Sequence, residues 1–372
     1  MIDSLLGGLT PRRFLRDYWQ KKPLLIQNAI HGFTGLLDKE SLLASACRDD
    51  VESRLVSRKQ ETWTLDRGPF CPSDFRRRKE PWTILVQGVN LFLPAGDALL
   101  RNFDFIPHAR LDDLMISYAT EGGGVGPHTD NYDVFLLQGM GRRRWRIGKP
   151  KNLELLANSP LKVLKDFHPV QEWVLEPGDM LYLPPQWAHD GIAEGECMTY
   201  SIGFRTDTTQ ELAEAFLTFL QERLDLPGRY ADPHLAVQQH PGRISAAMVD
   251  QVTDMLDRIR WNRRLVGQFL GGYLTEPKHH VFFDPPEQAL SLSRFTTRAI
   301  RHGLRLDLRT RLLYSGRQFY INGESAPRLA ANDVSWLADF ADRRSLPEGL
   351  CLGEETWALL YDWYCAGFIV LM

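Results

Sequence analysis

Cysteine is scarce: the 372 residues hold five, at Cys47, Cys71, Cys197, Cys351 and Cys365. No two form a Cys-x-x-Cys pair, which excludes a zinc ribbon and a redox dithiol. A sparse, odd number of thiols fits a reducing compartment better than a disulfide framework. Long apolar runs of membrane-span length are missing, and the start, MIDSLLGGLTPRRF, lacks the basic and apolar regions of a secretory signal. A cytoplasmic location without a membrane partner is therefore expected. Positive charge is not in excess either. The formal net charge is −3, so no global field points to nucleic acid, and direct DNA binding is not expected. Internal repeats and low-complexity tracts are absent too.

What is present reads as a globular chain. Hydrophobic residues make up 44% and charged residues 24%, enough for a core in each of two or three domains. Thr10-Pro11 predicts an N-cap and first helical position. PLLIQ (Pro23 to Gln27) predicts a strand, and Leu36 to Ala46 a helix. From about Trp82, short apolar segments alternate with Gly and Pro. The strand candidates are Leu114–Ala119, Asp133–Gln138, Arg143–Gly148, Glu172–Glu176, Met180–Pro184 and Met198–Phe204. Many short strands with such turns predict an antiparallel sandwich or barrel.

After Asp207 the period changes to that of helices, over Thr208–Leu224, Ser245–Arg260 and Arg264–Leu274. A helical insert of this size suits a packing or dimer surface. KHHVFFDPPEQ (Lys278 to Gln288) reads as a linker. The remainder, with an Asn322-Gly323 hairpin turn and helices around Trp336 and Trp357, suits a small winged-helix module.

His128 and Asp130 share one side of an extended segment, so an imidazole and a carboxylate converge on one point. Taken alone, His-x-Asp is weak. The glycine-rich approach Glu121–His128 strengthens it, since such a run is needed where backbone must come close to a ligand or bend at a barrel mouth. It is no dinucleotide fingerprint, since a strand and not a helix follows. A third ligand is offered by His189, just after the strand ending at Pro184. Two imidazoles and one carboxylate, with open positions, suit non-haem Fe(II). A structural zinc site is normally closed by four ligands, often thiolates. His168, His240, His279 and His280 have no carboxylate at matching spacing.

Arg143 poses a second question. On a strand it shares a face with Trp145 and Ile147, while Arg142, Arg144 and Arg146 share the other. Burying the two apolar side chains carries Arg143 inward. An unpaired guanidinium there is very costly, and a bidentate carboxylate matches its fork best. That acid is either internal or a bound ligand. A 2-oxoglutarate molecule bridging the metal and Arg143 has the right shape.

The segments Gly126–Gly148, Glu176–Gly191 and Tyr200–Arg205 together resemble the Jumonji-C, cupin-like ribosomal oxygenases. Asp112–Tyr118 and Ser53–Ser57 are similar to bacterial members. The resemblance implies a mainly β plus α chain in three parts: a double-stranded β-helix (jelly-roll, cupin-like) catalytic domain over 1–206, a helical dimerisation region over 207–277 and a C-terminal winged-helix-like domain over 278–372. It implies His128, Asp130 and His189 as the ligands of Fe(II), with 2-oxoglutarate and O₂ as co-substrates. Arg143 becomes the 2-oxoglutarate clamp and Ser117 a co-substrate contact. Thr129 lies between two ligands, and Thr199 stands where a polar side chain near the co-substrate is expected. The implied reaction is hydroxylation of an arginine β-carbon in a large-subunit ribosomal protein, by a homodimer.

Two other readings are open. The same chemistry could act on another protein side chain, by histidine hydroxylation or lysine demethylation. Alternatively, the chain is a non-catalytic cupin-like scaffold that binds a partner. Glu121, Tyr132 and Asp133 stand near the metal motif and are candidates for meeting a cationic side chain, although a structural or solvent-facing role is expected for each. The segment Arg294–Arg311 holds six arginines and one acid, Asp307. A solvated face is expected there, with ribosomal RNA or an acidic partner as the other reading.

Overall fold

The computed structural model describes residues 5–60 and 62–372. Among the described residues, twelve strands precede the helical insert: β1 (Leu24–Ile26), β2 (Ser53–Lys59), β3 (Thr62–Arg67), β4 (Trp82–Val86), β5 (Leu111–Ala119), β6 (His128–Thr129), β7 (Asp133–Gln138), β8 (Arg142–Gly148), β9 (Gln171–Leu175), β10 (Met180–Leu183), β11 (Ala188–Glu194) and β12 (Cys197–Phe204). They form an eight-stranded sheet, ordered β1-β10-β7-β12-β5-β4-β2-β3, and a four-stranded sheet, ordered β6-β11-β8-β9. Every pairing is antiparallel. The two sheets make the antiparallel sandwich that the punctuated apolar segments predict, in the jelly-roll form that the resemblance implies.

Period two decides where each side chain goes. In β7, Phe135 and Leu137 join the core outside the large sheet, whereas Val134 and Leu136 join Trp145, Ile147 and Leu175 between the sheets. β10 divides likewise, Met180 and Tyr182 outward, Leu181 and Leu183 inward. Both strands are therefore buried on both faces. The outer face is covered by helices α1 (Pro11–Asp17), α2 (Lys39–Ser45), α3 (Pro72–Arg76) and α4 (Pro94–Arg101). Thr10 caps α1, its hydroxyl accepting from Arg13 N at 3.3 Å, and Pro11 opens it. Phe14 from α1 is fully buried against Phe135 and Tyr182, with ring centroids 5.5 and 4.9 Å away. Such burial contributes roughly 1.5–3 kcal/mol per side chain. α2 begins at Lys39, later than its apolar residues predict, because Asp38 Oδ1 accepts from Ser41 N at 2.8 Å and fixes the cap.

The described chain forms two compact units. The first takes in the chain to Thr206 with Pro277–Thr310 and Ala330–Met372. Its C-terminal part holds α8 (Leu292–His302), β13 (Leu304–Leu306), α9 (Val334–Arg343), β17 (Ser345–Leu346), α10 (Glu354–Cys365) and β18 (Ile369–Leu371), with the strands ordered β17-β13-β18. The second unit is Asp207–Glu276 with Arg311–Leu329. It holds α5 (Thr209–Gln221), α6 (Ala246–Leu256), α7 (Arg263–Thr275) and the sheet of β14 (Leu312–Ser315), β15 (Gln318–Ile321) and β16 (Glu324–Ser325). The predicted Asn322-Gly323 turn joins β15 to β16, and the hairpin packs on α7. Tyr320 lies over Gly271, where a Cβ would come within 2.4 Å of the ring, and Gly323 N donates to Thr275 Oγ1 at 3.0 Å.

Candidate metal and co-substrate site

β6 and β11 pair so that His128 faces His189 directly, and opposed residues project to the same side. His189, which follows β10 as expected, is the second residue of β11, in the smaller sheet. The two imidazole centroids lie 4.2 Å apart. Asp130 Oδ2 lies 3.9 Å from His128 Nε2 and 3.6 Å from His189 Nε2. One ligand atom from each residue falls within 4.8 Å of the others.

Main-chain carbonyls orient both rings. His128 Nδ1 lies 2.9 Å from Gly126 O, and His189 Nδ1 lies 3.1 Å from Trp187 O. In each case Nδ1–H donates, and the Nε2 lone pair faces the centre. Burial, reinforced by the nearby His128, pushes the His189 pKa down to about 4 against the opposing pull of Asp130. Its imidazole is accordingly neutral at ordinary pH. Two Nε2 lone pairs and a carboxylate then converge with no donor between them, which calls for a cation. The nitrogen and oxygen donors, without a thiolate, fit Fe(II) with three positions open.

The cavity that holds this cluster has a volume of about 620 Å³. At its inner end Arg143 is 4% exposed. Its Nη1 donates to Ser117 Oγ at 3.2 Å, across from one sheet to the other. Nε and Nη2 have no hydrogen-bond partner. The arginines on the opposite face of β8 differ. Arg144 pairs with Glu172 and Glu194, Arg146 with Asp190, and Arg142 Nη2 lies 3.8 Å from Glu194. The outward cations are matched by acids on adjacent strands. Among the described residues the inward one makes no ion pair, so its anion must come from outside the chain.

Comparison with known proteins addresses the same point. The JmjC domain family matches residues 98–212, and a ROXA-like winged helix matches 258–369. Ribosomal protein uL16 3-hydroxylase of Escherichia coli is 34% identical over 352 residues, covering 91% of this chain and 93% of that protein. The chain belongs to the JmjC ribosomal oxygenases. The X-ray structure of E. coli YcfD superposes with a TM-score of 0.87 at 31% identity, covering 98% of both chains. A YcfD structure in complex with cobalt and 2-oxoglutarate gives 0.82 at 31% identity, over 97% of this chain and 98% of that one. A probable ribosomal oxygenase of Haemophilus influenzae is 40% identical over 210 residues, 55% of this chain and 52% of that one.

For a ribosomal oxygenase of this kind, the other expected contacts fall in different places. Ser117 and Thr129 line the cavity. Thr199 does not: its hydroxyl donates to Gln138 Oε1 at 3.0 Å, and Gln138 Nε2 donates to Met140 O and Gly141 O at 2.9 and 3.2 Å. Thr199 therefore braces the turn that leads into Arg143's strand. Ser201, two residues on, lines the cavity. Of the three residues weighed for meeting a cation, only Tyr132 lines it. Asp133 is fully buried and accepts from Tyr182 Oη at 2.6 Å and Gln20 Nε2 at 3.0 Å. Glu121 caps a turn by accepting from Gly195 N.

The lining also contains acids that sequence reasoning missed: Glu52, Asp112 and Asp113. Asp113 is 6% exposed and accepts from Gly88 N at 3.1 Å. Burial raises its pKa, and Lys278, at 3.4 Å, pulls the other way. The available signal was the period of LDDLMISYA, which puts Asp113, Met115 and Ser117 on one face of β5.

Proposed function

We infer that this chain hydroxylates the β-carbon of an arginine in a large-subunit ribosomal protein, as an Fe(II)- and 2-oxoglutarate-dependent oxygenase. His128, Asp130 and His189 hold the metal. When bound, Fe(II) with 2-oxoglutarate and O₂ supplies the oxidation that puts a hydroxyl on an unactivated carbon, releasing succinate and carbon dioxide. Arg143 receives the far carboxylate of the co-substrate, and Ser117 orients that guanidinium. Val134, Leu136 and Trp145 keep water from the space between these two ends. Glu52, Asp112 and Asp113 are the lining carboxylates that a guanidinium could meet, with Tyr132 beside them; Arg54, Arg67 and Lys162 line the same cavity, and Lys278 pairs with both aspartates.

The observation that carries this reading is the buried Arg143 with two unpartnered nitrogens in the cavity that also holds the metal triad. A scaffold without catalysis has no use for that cation. The test is co-substrate turnover with Fe(II) on peptides from large-subunit ribosomal proteins, read by succinate release and by addition of one oxygen to the peptide. Wild-type protein should hydroxylate an arginine peptide and His128→Ala should not. Oxygen on histidine, or loss of a lysine methyl group, would reassign the substrate.

The reading extends to assembly and location. The second unit exposes Leu217, Val249, Leu256 and Trp261, each more than half accessible, which suits coverage by a second copy of the chain. This fits a homodimer whose helical part, 207–277, does the pairing, between a catalytic part over 1–206 and a winged-helix part over 278–372. Among the described residues no helix is long and apolar enough to cross a membrane. A ribosomal substrate fits a cytoplasmic site. Leu217→Glu with Leu256→Glu should halve the mass measured by light scattering; an unchanged mass would remove this surface from the interface.

A further inference from the structure

The arginines of 294–311 do not share one role. Arg309 gives Nε to Asp307 Oδ1 at 2.7 Å and Nη2 to Oδ2 at 3.0 Å, so it occupies the segment's one acid. Arg294, Arg298, Arg301 and Arg305 are all exposed, and among the described residues none makes an ion pair or a side-chain hydrogen bond. The first three stand at i, i+4 and i+7 of α8, within about 60° of arc at 100° per residue. They span about 10 Å of helix. Arg305 follows on β13, flanked by Ser345 and Val370, neither of which is acidic. Phe295 and Ala299, about 90° and 130° round the helix from the centre of the stripe, anchor it in the core.

We propose that this stripe on α8 docks the phosphate backbone of duplex RNA, holding the enzyme against the RNA that surrounds a ribosomal protein. This rests on the proposed substrate only for the choice of RNA; the charge pattern stands without it. The observations favour a phosphate backbone over an acidic protein. A protein interface needs an apolar or aromatic centre, and the exposed apolar residues of α8, Leu292 and Ile300, lie away from the arginines. A row of free guanidinium groups with nothing apolar between them matches repeated phosphates. α10 is poorly suited, because its solvent face presents Glu354, Glu355 and Asp362.

The test uses the full chain and a fluorescent RNA duplex of about two helical turns. Wild-type affinity should fall by about a hundredfold between roughly 50 and 200 mM salt if four phosphates are contacted. Arg294→Glu/Arg298→Glu/Arg301→Glu should bind at least about tenfold more weakly, with a salt slope smaller by about three. These positions are far from the metal triad in sequence and exposed, so hydroxylation of a short arginine peptide should be unchanged. That control separates failure here from failure of the proposed substrate. RNA affinity equal in wild type and the triple variant would overturn the proposal. So would tighter binding to poly-glutamate or to a DNA duplex of the same length than to RNA.

Discussion

Arg143 Nη1 meets Ser117 Oγ at 3.2 Å across the interior of the jelly roll, and among the described residues that hydroxyl is its hydrogen-bond partner. A neutral hydroxyl does not compensate a buried charge. In the ligand-free protein this position therefore costs stability, and on the proposed function a bound dicarboxylate supplies the compensation. Arg143→Met should abolish 2-oxoglutarate binding and leave the ligand-free protein as stable as wild type, or more stable by about 1 kcal/mol or more. Thermal melts with and without 2-oxoglutarate check both halves. A melting temperature well below wild type in the ligand-free variant would mean the guanidinium has a structural acid.

Ser117→Ala is the milder counterpart. Ser117 Oγ donates to Thr199 O at 3.4 Å while accepting from Arg143, so it aims the cation without contributing charge. Loss of one such bond is worth about 1 kcal/mol, or roughly five- to tenfold in 2-oxoglutarate affinity. Cobalt(II) affinity at the triad, followed by absorption, should not move. A parallel loss of metal binding would place Ser117 in the wider support of the ligands.

The jelly roll was legible where burial and period agree. β7, β10 and β12 have an apolar residue on at least every second position, as do β5 from Leu114 and β8 from Trp145, and Arg143 stood out against that pattern. β11 was illegible as a strand because AHDGIAE is small and polar, with Gly191 admitting the Trp145 ring. β2 and β3 carry serines, threonines and arginines that read as surface, yet Arg54 and Val56 line the cavity. Thr199 shows the limit of placing a residue by strand alone: only the Gln138 side chain, 61 positions away, reveals that its hydroxyl is already engaged. Asp113 hid in plain alternation, since an aspartate before an apolar run resembles a turn.

Gly191 tests the wall of the site. A Cβ there would come within 2.7 Å of the Trp145 ring, on the strand that carries His189. Trp145 is itself 5% exposed and packed with Val134, Leu136 and Ile147. Gly191→Ala should destabilise the protein by about 1–3 kcal/mol and weaken cobalt(II) binding, because the strand must shift with the ring. Denaturant unfolding and a cobalt titration report the two effects. Full stability with intact metal binding would show that Trp145 swings aside freely.

Asp113 tests the substrate. Asp113→Asn keeps an acceptor for Gly88 N and removes the charge, so Lys278 is left with Asp112 at 3.3 Å while an incoming guanidinium loses one carboxylate. For an arginine peptide, kcat/KM should fall about ten- to a hundredfold, mostly through KM, given roughly 1.5–3 kcal/mol for a hydrogen bond to a charged group. Substrate-independent consumption of 2-oxoglutarate should persist, since the triad and Arg143 are untouched. The decisive comparison uses a peptide with citrulline in place of arginine, isosteric and uncharged. Wild type should favour arginine strongly over citrulline, and Asp113→Asn should lose most of that preference. If the variant discriminates as well as wild type, charge recognition lies with Asp112 or Glu52, and the buried aspartate serves the Gly88 turn alone.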